Sequence, residues 1–380
     1  MDWSKGISNK KIMHELKEIR NKDFTFPSSR ILGSMCTTPH PLAQQAATLY
    51  METNMGDPEL FLGTKELEKR VLNMTAELLH APPTYGGLFL SGGTESNLTA
   101  LYIARSLSHK KEIIIPQSAH FSLQKAASLL QLKLRSVPTK KHQMDIYKIP
   151  KLINDNTAGV VAVAGTTGLG IIDPIPDIAD ICQKENIFFH VDAAFGGFII
   201  PFLQKKGYRL PSFDFILPGV SSISLDPHKM GCSVIPSGLF IIREKKWFDA
   251  ISVDTPYISA RKQASLSGTR PGASVAATYA VMRHLGWEGY IKIAKRCIDL
   301  TLYTKKSLQK SGFSLITDPP LNILGIQVPK PYQVSQKLKK KGWSISYNAH
   351  LHCLRLVIMP HIKKKLIDQF ITDLQEVVKC

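Results

Sequence analysis

From about residue 61 to 270, short apolar runs alternate with stretches of helical period. "GLFLS" (87–91), "EIIIP" (112–116), "GVVAVAG" (159–165), "IFFHVD" (187–192), "FDFIL" (213–217), "SISLD" (222–226) and "GLFIIR" (238–243) read as seven strands. Each is rich in β-branched or aromatic residues and bounded by turn formers. Strands separated by helices predict a mostly parallel α/β sheet. Before residue 60, one helix alternates with Pro-containing loops. After "SGTRPGAS" a helical stretch runs to about 311, interrupted near Gly286. Short strands ("NILGIQV", "SISYN", "LRLVIM") and a helix over 361–378 then predict a smaller α+β domain. The expected organisation is an N-terminal helical and loop segment (1–60), a large α/β domain (61–270) and a small C-terminal domain (271–380).

The chain has 380 residues, 44% of them hydrophobic, which suits a globular enzyme with a sizeable core. No apolar run reaches the roughly 18–20 residues of a membrane helix. The N-terminus is polar and helical without a signal-like apolar region, so a cytoplasmic protein is expected. The six cysteines are scattered with no CxxC pair, which predicts free thiols rather than disulfides or a zinc site. The net charge of +18 raises nucleic acid or a membrane surface as partners. However, the densest lysine runs, "KLKKKG" and "IKKKL", mark the wet faces of amphipathic helices, and no aromatics interleave them. Neither partner is expected.

Polar residues collect at the carboxyl ends of the strands, where open α/β sheets bind ligands. After the first strand comes "SGGTESN". Gly92 and Gly93 admit close backbone approach, Thr94 adds a hydroxyl, and a helix N-terminus follows, which together suit a phosphate. An ordinary glycine turn with a threonine cap would look the same. "TTGLG" (166–170) offers Thr166 and Thr167 as contacts or as a plain turn. Asp192 closes an apolar strand, so it needs a buried partner, either a cationic ring N–H or a structural ion pair. Ala193 and Ala194 beside it leave room for a flat ring. His120 is placed to stack on a planar group, or to serve as a capping or core histidine. Lys229 ends the run "SISLDPHK"; desolvated there, its pKa is expected to fall, making it an amine nucleophile able to form a Schiff base. Phosphate cradle, ring stacker, buried acid and activated lysine at one sheet edge together answer the needs of pyridoxal 5′-phosphate.

The ordered set "ETNMGDPELFLGTKELE", "IPQSAHFSLQKAA", "AGTTGLG", "VDAAFGGFIIPFL", "DPHKMG", "SGTRPG" and "LRLVIMPHI" resembles the group II pyridoxal phosphate-dependent amino-acid decarboxylases, and within them the archaeal L-tyrosine/L-aspartate decarboxylases. The likeness covers essentially the whole chain. It implies the fold type I architecture of the pyridoxal phosphate-dependent transferases and a homodimer with active sites at the subunit interface. It implies that Lys229 carries the cofactor, Asp192 pairs with the ring nitrogen and His120 stacks on the ring. Gly93 and Thr94, with Asp226 and His228 nearby, surround the phosphate. Thr167 and Ala194 contact the cofactor. Arg355 receives the substrate α-carboxylate, and the loop residue Tyr257 returns a proton to the α-carbon. Asn54, Gly268 and Thr269 approach the partner's site.

The expected reaction is decarboxylation of L-tyrosine to tyramine, of L-aspartate to β-alanine, or of both. A carbon–carbon lyase of the sphingosine-phosphate lyase type is the enzymatic alternative, and it would need a second anion site. A non-catalytic binding protein of the same fold is the other, but it has no use for an activated lysine.

Overall fold

The computed structural model describes residues 3–256 and 261–379. Two helices, α1 (Asn9–Arg20) and α2 (Pro41–Leu49), precede α3 (Leu62–Leu78), so the opening segment holds one more helix than its pattern predicts. The extra helix, α2, starts on a proline, and the His40 ring nitrogen accepts the Leu42 N–H at 3.2 Å.

The central sheet comprises β1 (Gly86–Leu90), β2 (Glu112–Pro116), β3 (Lys133–Val137), β4 (Thr157–Val163), β5 (Phe188–Asp192), β6 (Ser222–Leu225) and β7 (Gly238–Ile242), in the order β1-β7-β6-β5-β4-β2-β3. Only β7 runs against its neighbours; the other adjacent pairs are parallel. Every residue of β2, β4, β6 and β7 is buried, as expected for strands covered on both faces. Helices α3, α4 (Gly93–Ser108), α5 (Ser122–Leu129) and α6 (Ile175–Lys184) lie against this sheet, and the short α7 (Ile200–Lys205) follows β5.

Seven strands are predicted there and the central sheet has seven, but one differs. "FDFIL" (213–217) is not a strand. Asp214 accepts the Ile216 N–H at 3.2 Å and pairs with His80 at 2.9 Å, which curls the segment into a turn while Phe213 and Phe215 enter the core. The seventh strand is β3, whose charged pattern hides it. As an edge strand it needs only one buried face, and Lys133 and Arg135 reach Glu112 on β2 at 3.1 and 3.2 Å.

Helix α8 (Gly272–Lys310) leaves the large domain, breaks at Gly286 (φ 52°, ψ −165°) and enters the small one. There a three-stranded antiparallel sheet of β8 (Ile323–Gln327), β9 (Ser346–Asn348) and β10 (Cys353–Val357), with β10 central, packs with α9 (Pro331–Lys340) and α10 (Lys364–Lys379). Its core includes Trp343 against Phe370, and it also takes in Leu32 from the N-terminal segment. Leu32 donates its N–H to Ser344 and accepts from Val357, both at 2.7 Å. The residues after α1 therefore pass between the small domain and the sheet edge that carries the site.

Candidate active site

The carboxyl ends of β1, β2, β4, β5 and β6 open onto one cleft of about 470 Å³. Nine of the expected residues line it: Gly93, Thr94, His120, Thr167, Asp192, Ala194, Asp226, His228 and Lys229. Sequence neighbours supply only two or three of these at a time; parallel strands with helical crossovers bring them to one edge.

At the β1 end, Gly92 has φ +155°, and a Cβ on it would come within 3.1 Å of the His228 ring. A Cβ on Gly93 would sit 3.0 Å from Ala194 Cβ and 3.2 Å from Asp226 Oδ2. Helix α4 starts here, and its first N–H groups have no intrahelical acceptor. Glu95 closes the turn from behind, accepting Ser91 N–H at 2.8 Å and Ser267 Oγ–H at 2.6 Å.

At the β5 end, Asp192 is 5% exposed. Its Oδ2 accepts from Asn97 Nδ2 at 2.8 Å, and its Oδ1 accepts from Ala194 N–H at 3.1 Å. Asn97 and its neighbour His190 lie in motifs quoted above, yet sequence reasoning assigned them nothing. For His190 the one signal is polarity inside an otherwise apolar strand; Asn97 sits among the polar residues that open α4 and gives none. His120 borders the cleft with its Nδ1 accepting the Ser122 N–H at 3.2 Å, so its proton sits on Nε2; burial lowers its pKa and keeps the ring neutral.

Lys229 departs from expectation. Burial works to lower its pKa, but the charge and hydrogen bond of Asp226, with a further pull from Asp192, outweigh it and raise the value. Nζ lies 2.8 Å from Asp226 Oδ2, and His228 Nε2 stands 3.7 Å from the same oxygen. Lys229 is a held ammonium in this structure, not a neutral amine. Asp226 Oδ1 is buried with no hydrogen-bond partner among the described residues.

Four expected residues do not line the cleft. Arg355, on β10, lies just behind it: Nε donates to the carbonyl of Thr167, and Nη1 donates to Gly33 O at 2.7 Å. Its Nη2 is buried without a partner among the described residues. Asn54, Gly268 and Thr269 form a separate group. Asn54 Oδ1 accepts from Gly56 N–H at 2.8 Å and Arg270 N–H at 3.1 Å, and Gly268 and Thr269 are exposed. Tyr257 lies outside the described residues.

The pyridoxal-dependent decarboxylase conserved domain matches residues 36–325. The chain belongs to the pyridoxal-dependent decarboxylase family. It is 46% identical over 356 residues to a probable L-tyrosine/L-aspartate decarboxylase of Methanothermobacter thermautotrophicus, covering 92% of this chain and 98% of that protein. It is 45% identical over 379 residues to the L-aspartate/L-glutamate decarboxylase of Pyrococcus horikoshii, covering 98% of each. Among solved structures, a sphingosine-1-phosphate lyase of Burkholderia pseudomallei superposes with a TM-score of 0.91 at 25% identity, over 100% of this chain and 92% of that one. A Lactobacillus brevis glutamate decarboxylase, at TM-score 0.90 and 22% identity over 100% and 94%, shows the same fold.

As a member of this family, the decarboxylase uses pyridoxal phosphate, and its cleft suits that cofactor. Two glycines leave a hollow that any Cβ would fill, at a helix N-terminus suited to a phosphate. Across the same cleft stand a hydrogen-bonded carboxylate and a lysine.

Proposed function

We propose that this decarboxylase acts on L-aspartate, giving β-alanine, on L-tyrosine, giving tyramine, or on both, with Lys229 as the covalent anchor of the cofactor. The observation that carries this reading is the lining of one cleft by Lys229, Asp192 and His120. The names of both relatives described above include L-aspartate, which supports that substrate first.

Bound pyridoxal phosphate would supply a conjugated ring that takes up the electron pair left on the α-carbon when the carboxylate departs as CO₂. The protein's part is binding, orientation and proton placement. Gly93, Thr94 and the α4 N-terminus hold the phosphate, with Asp226 and His228 beside it. His120 covers one ring face, and Ala194 leaves space for the ring. Asp192 holds the proton on the ring nitrogen. Thr167 closes the cleft wall and, through its carbonyl, sets Arg355 for the substrate carboxylate. Tyr257 is the proton donor to the α-carbon.

The reading includes a homodimer in which Asn54, Gly268 and Thr269 complete the partner's site. Its support is an apolar surface around Asn54, where Leu49, Met51, Leu60 and Leu62 are each more than half exposed, and an α1 that buries no residue of its own. A cytoplasmic location accords with free thiols at all described cysteines.

The test is product-identified decarboxylation by the cofactor-loaded protein, with L-aspartate, L-tyrosine and L-glutamate offered separately and a Lys229→Ala control. β-Alanine or tyramine that disappears with the control supports the reading. A loaded protein that releases no amine from any of the three overturns it and favours the lyase alternative.

A further inference from the structure

Asp192 ends a chain of four buried polar side chains drawn from α4, β5 and β6. Asn97 and His190 are each 1% exposed and Ser222 is fully buried. Asn97 Nδ2 stands 2.8 Å from Asp192 Oδ2 and 3.0 Å from Ser122 Oγ, and Asn97 Oδ1 stands 2.9 Å from His190 Nε2. His190 Nδ1 lies 2.8 Å from Ser222 Oγ.

These contacts allow one arrangement of hydrogens. A carboxylate only accepts, so the Asn97 amide must present its NH₂ to Asp192. Its oxygen therefore faces His190, which must carry its proton on Nε2. In a neutral ring the other nitrogen is then an acceptor, and the Ser222 hydroxyl donates to it. Turning the Asn97 amide over would set two oxygens 2.8 Å apart; moving the His190 proton to Nδ1 would leave a nitrogen lone pair against the Asn97 oxygen. Burial keeps the ring neutral, with its pKa pushed down to about 4. Every hydrogen therefore points the same way, from Ser222 through His190 and Asn97 to Asp192. Donors aligned in series in a low-dielectric interior strengthen one another.

The placement also ties the two ends of the cofactor site together. Gly93 opens α4 and Asn97 lies one turn later, so one rigid helix carries both the phosphate hollow and the donor to the ring carboxylate.

We propose that Asn97 and His190 are positioning residues: a one-way hydrogen-bond relay that holds Asp192 as the anion aimed at the cofactor's ring nitrogen. The inference rests on the assignment of Asp192 to that nitrogen. Asn97 borders the cleft beside Asp192, whereas His190 is not among the residues lining it; both act through the carboxylate.

The test compares His190→Phe, His190→Gln and Asn97→Leu with the wild type. Outer partners of a ligating group typically change affinity or activity by about 10–100-fold when removed. The expected result is a fall of that size in kcat for His190→Phe and Asn97→Leu, with KM for the amino acid little changed. The visible band of the loaded protein should titrate at a shifted pH. His190→Gln, which can still donate to Asn97, should recover most of kcat and the wild-type band. Equal losses in all three variants, tracking only their melting temperatures, would reduce the network to a structural role and overturn the proposal. So would wild-type kcat, band and pH profile in His190→Phe.

Nitrogen-15 NMR of His190 in the full-length wild-type protein, with and without cofactor, is independent of folding in the variants. The relay requires the neutral ring protonated on Nε2 at about pH 7. A ring protonated on Nδ1, or charged, overturns the relay even if the cofactor assignment stands. Failure of that assignment shows separately, as a wild-type protein that develops no visible band with pyridoxal phosphate.

Discussion

Lys229 Nζ lies 2.8 Å from Asp226 Oδ2, three residues earlier in the same loop. The pair decides the resting state of the lysine. Burial alone favours a neutral amine, but the adjacent carboxylate holds the proton more strongly than burial expels it. To act as a nucleophile, Lys229 must first release that proton, and Asp226 is the acceptor within reach.

Asp226→Asn should therefore lower the Lys229 pKa, because burial stays while the opposing charge goes. The rate at which an amine-reactive reagent labels Lys229 in the cofactor-free protein, followed against pH, measures this. The midpoint should move to lower pH in the variant. An unmoved midpoint would show that Asp226 does not govern the lysine.

Gly93→Ala should weaken cofactor binding far more than it weakens the fold. The added Cβ would meet Ala194 Cβ at 3.0 Å and Asp226 Oδ2 at 3.2 Å, inside the hollow. Space taken by the Cβ is lost to the phosphate, and a binding penalty of about 1–3 kcal/mol is roughly 5–150-fold in affinity. Titration of the cofactor-free protein with pyridoxal phosphate gives the affinity, and a thermal melt gives the stability. Unchanged affinity would place the phosphate elsewhere.

Arg355 joins three segments, donating to Gly33, Ser346 and Thr167. Arg355→Met leaves those acceptors unpaired, which should cost about 1–3 kcal/mol in denaturant unfolding. Nη2 has no partner among the described residues; if it receives the substrate carboxylate, the KM for the amino acid should rise while cofactor affinity holds. A stability loss with unchanged KM would leave Arg355 purely structural.

Acid should destabilise the protein below about pH 6.5, the ordinary histidine value. The His190 pKa is pushed down to about 4, so between that value and the ordinary one the unfolded chain binds more protons than the folded one. That contribution is complete above the window and is lost as pH falls through it. Burial moves His120, His228 and His361 the same way. Asp173, raised to about 6 by burial, opposes them, because the folded state keeps its proton longer as pH rises from the ordinary 3.8. In a series of melts, His190→Gln should show a shallower decline on acidification than the wild type. An identical slope would mean that His190 is not a buried neutral ring.

Apolar runs, glycine turns and helical periods are properties of neighbouring residues, so they could be read directly along the chain. They determined the α/β class, the small C-terminal domain, and the lysine, aspartate, histidine and glycines at strand ends. Besides helix α2, two strands were misread for local reasons: "FDFIL" alternates like a strand but is curled by Asp214, and β3 needs a sheet edge to justify its charges. Tertiary structure alone decided which side chains meet. Asn97 and Asp192 are 95 residues apart in sequence, and Arg355 and Thr167 are 188 apart. The held state of Lys229 is different again: its partner is close in sequence, but the balance between burial and charge depends on the depth at which the folded loop buries the pair. Local pattern sets which elements form, whereas strand order and burial depth arise from packing the whole chain, and they set the charge and contacts of the site.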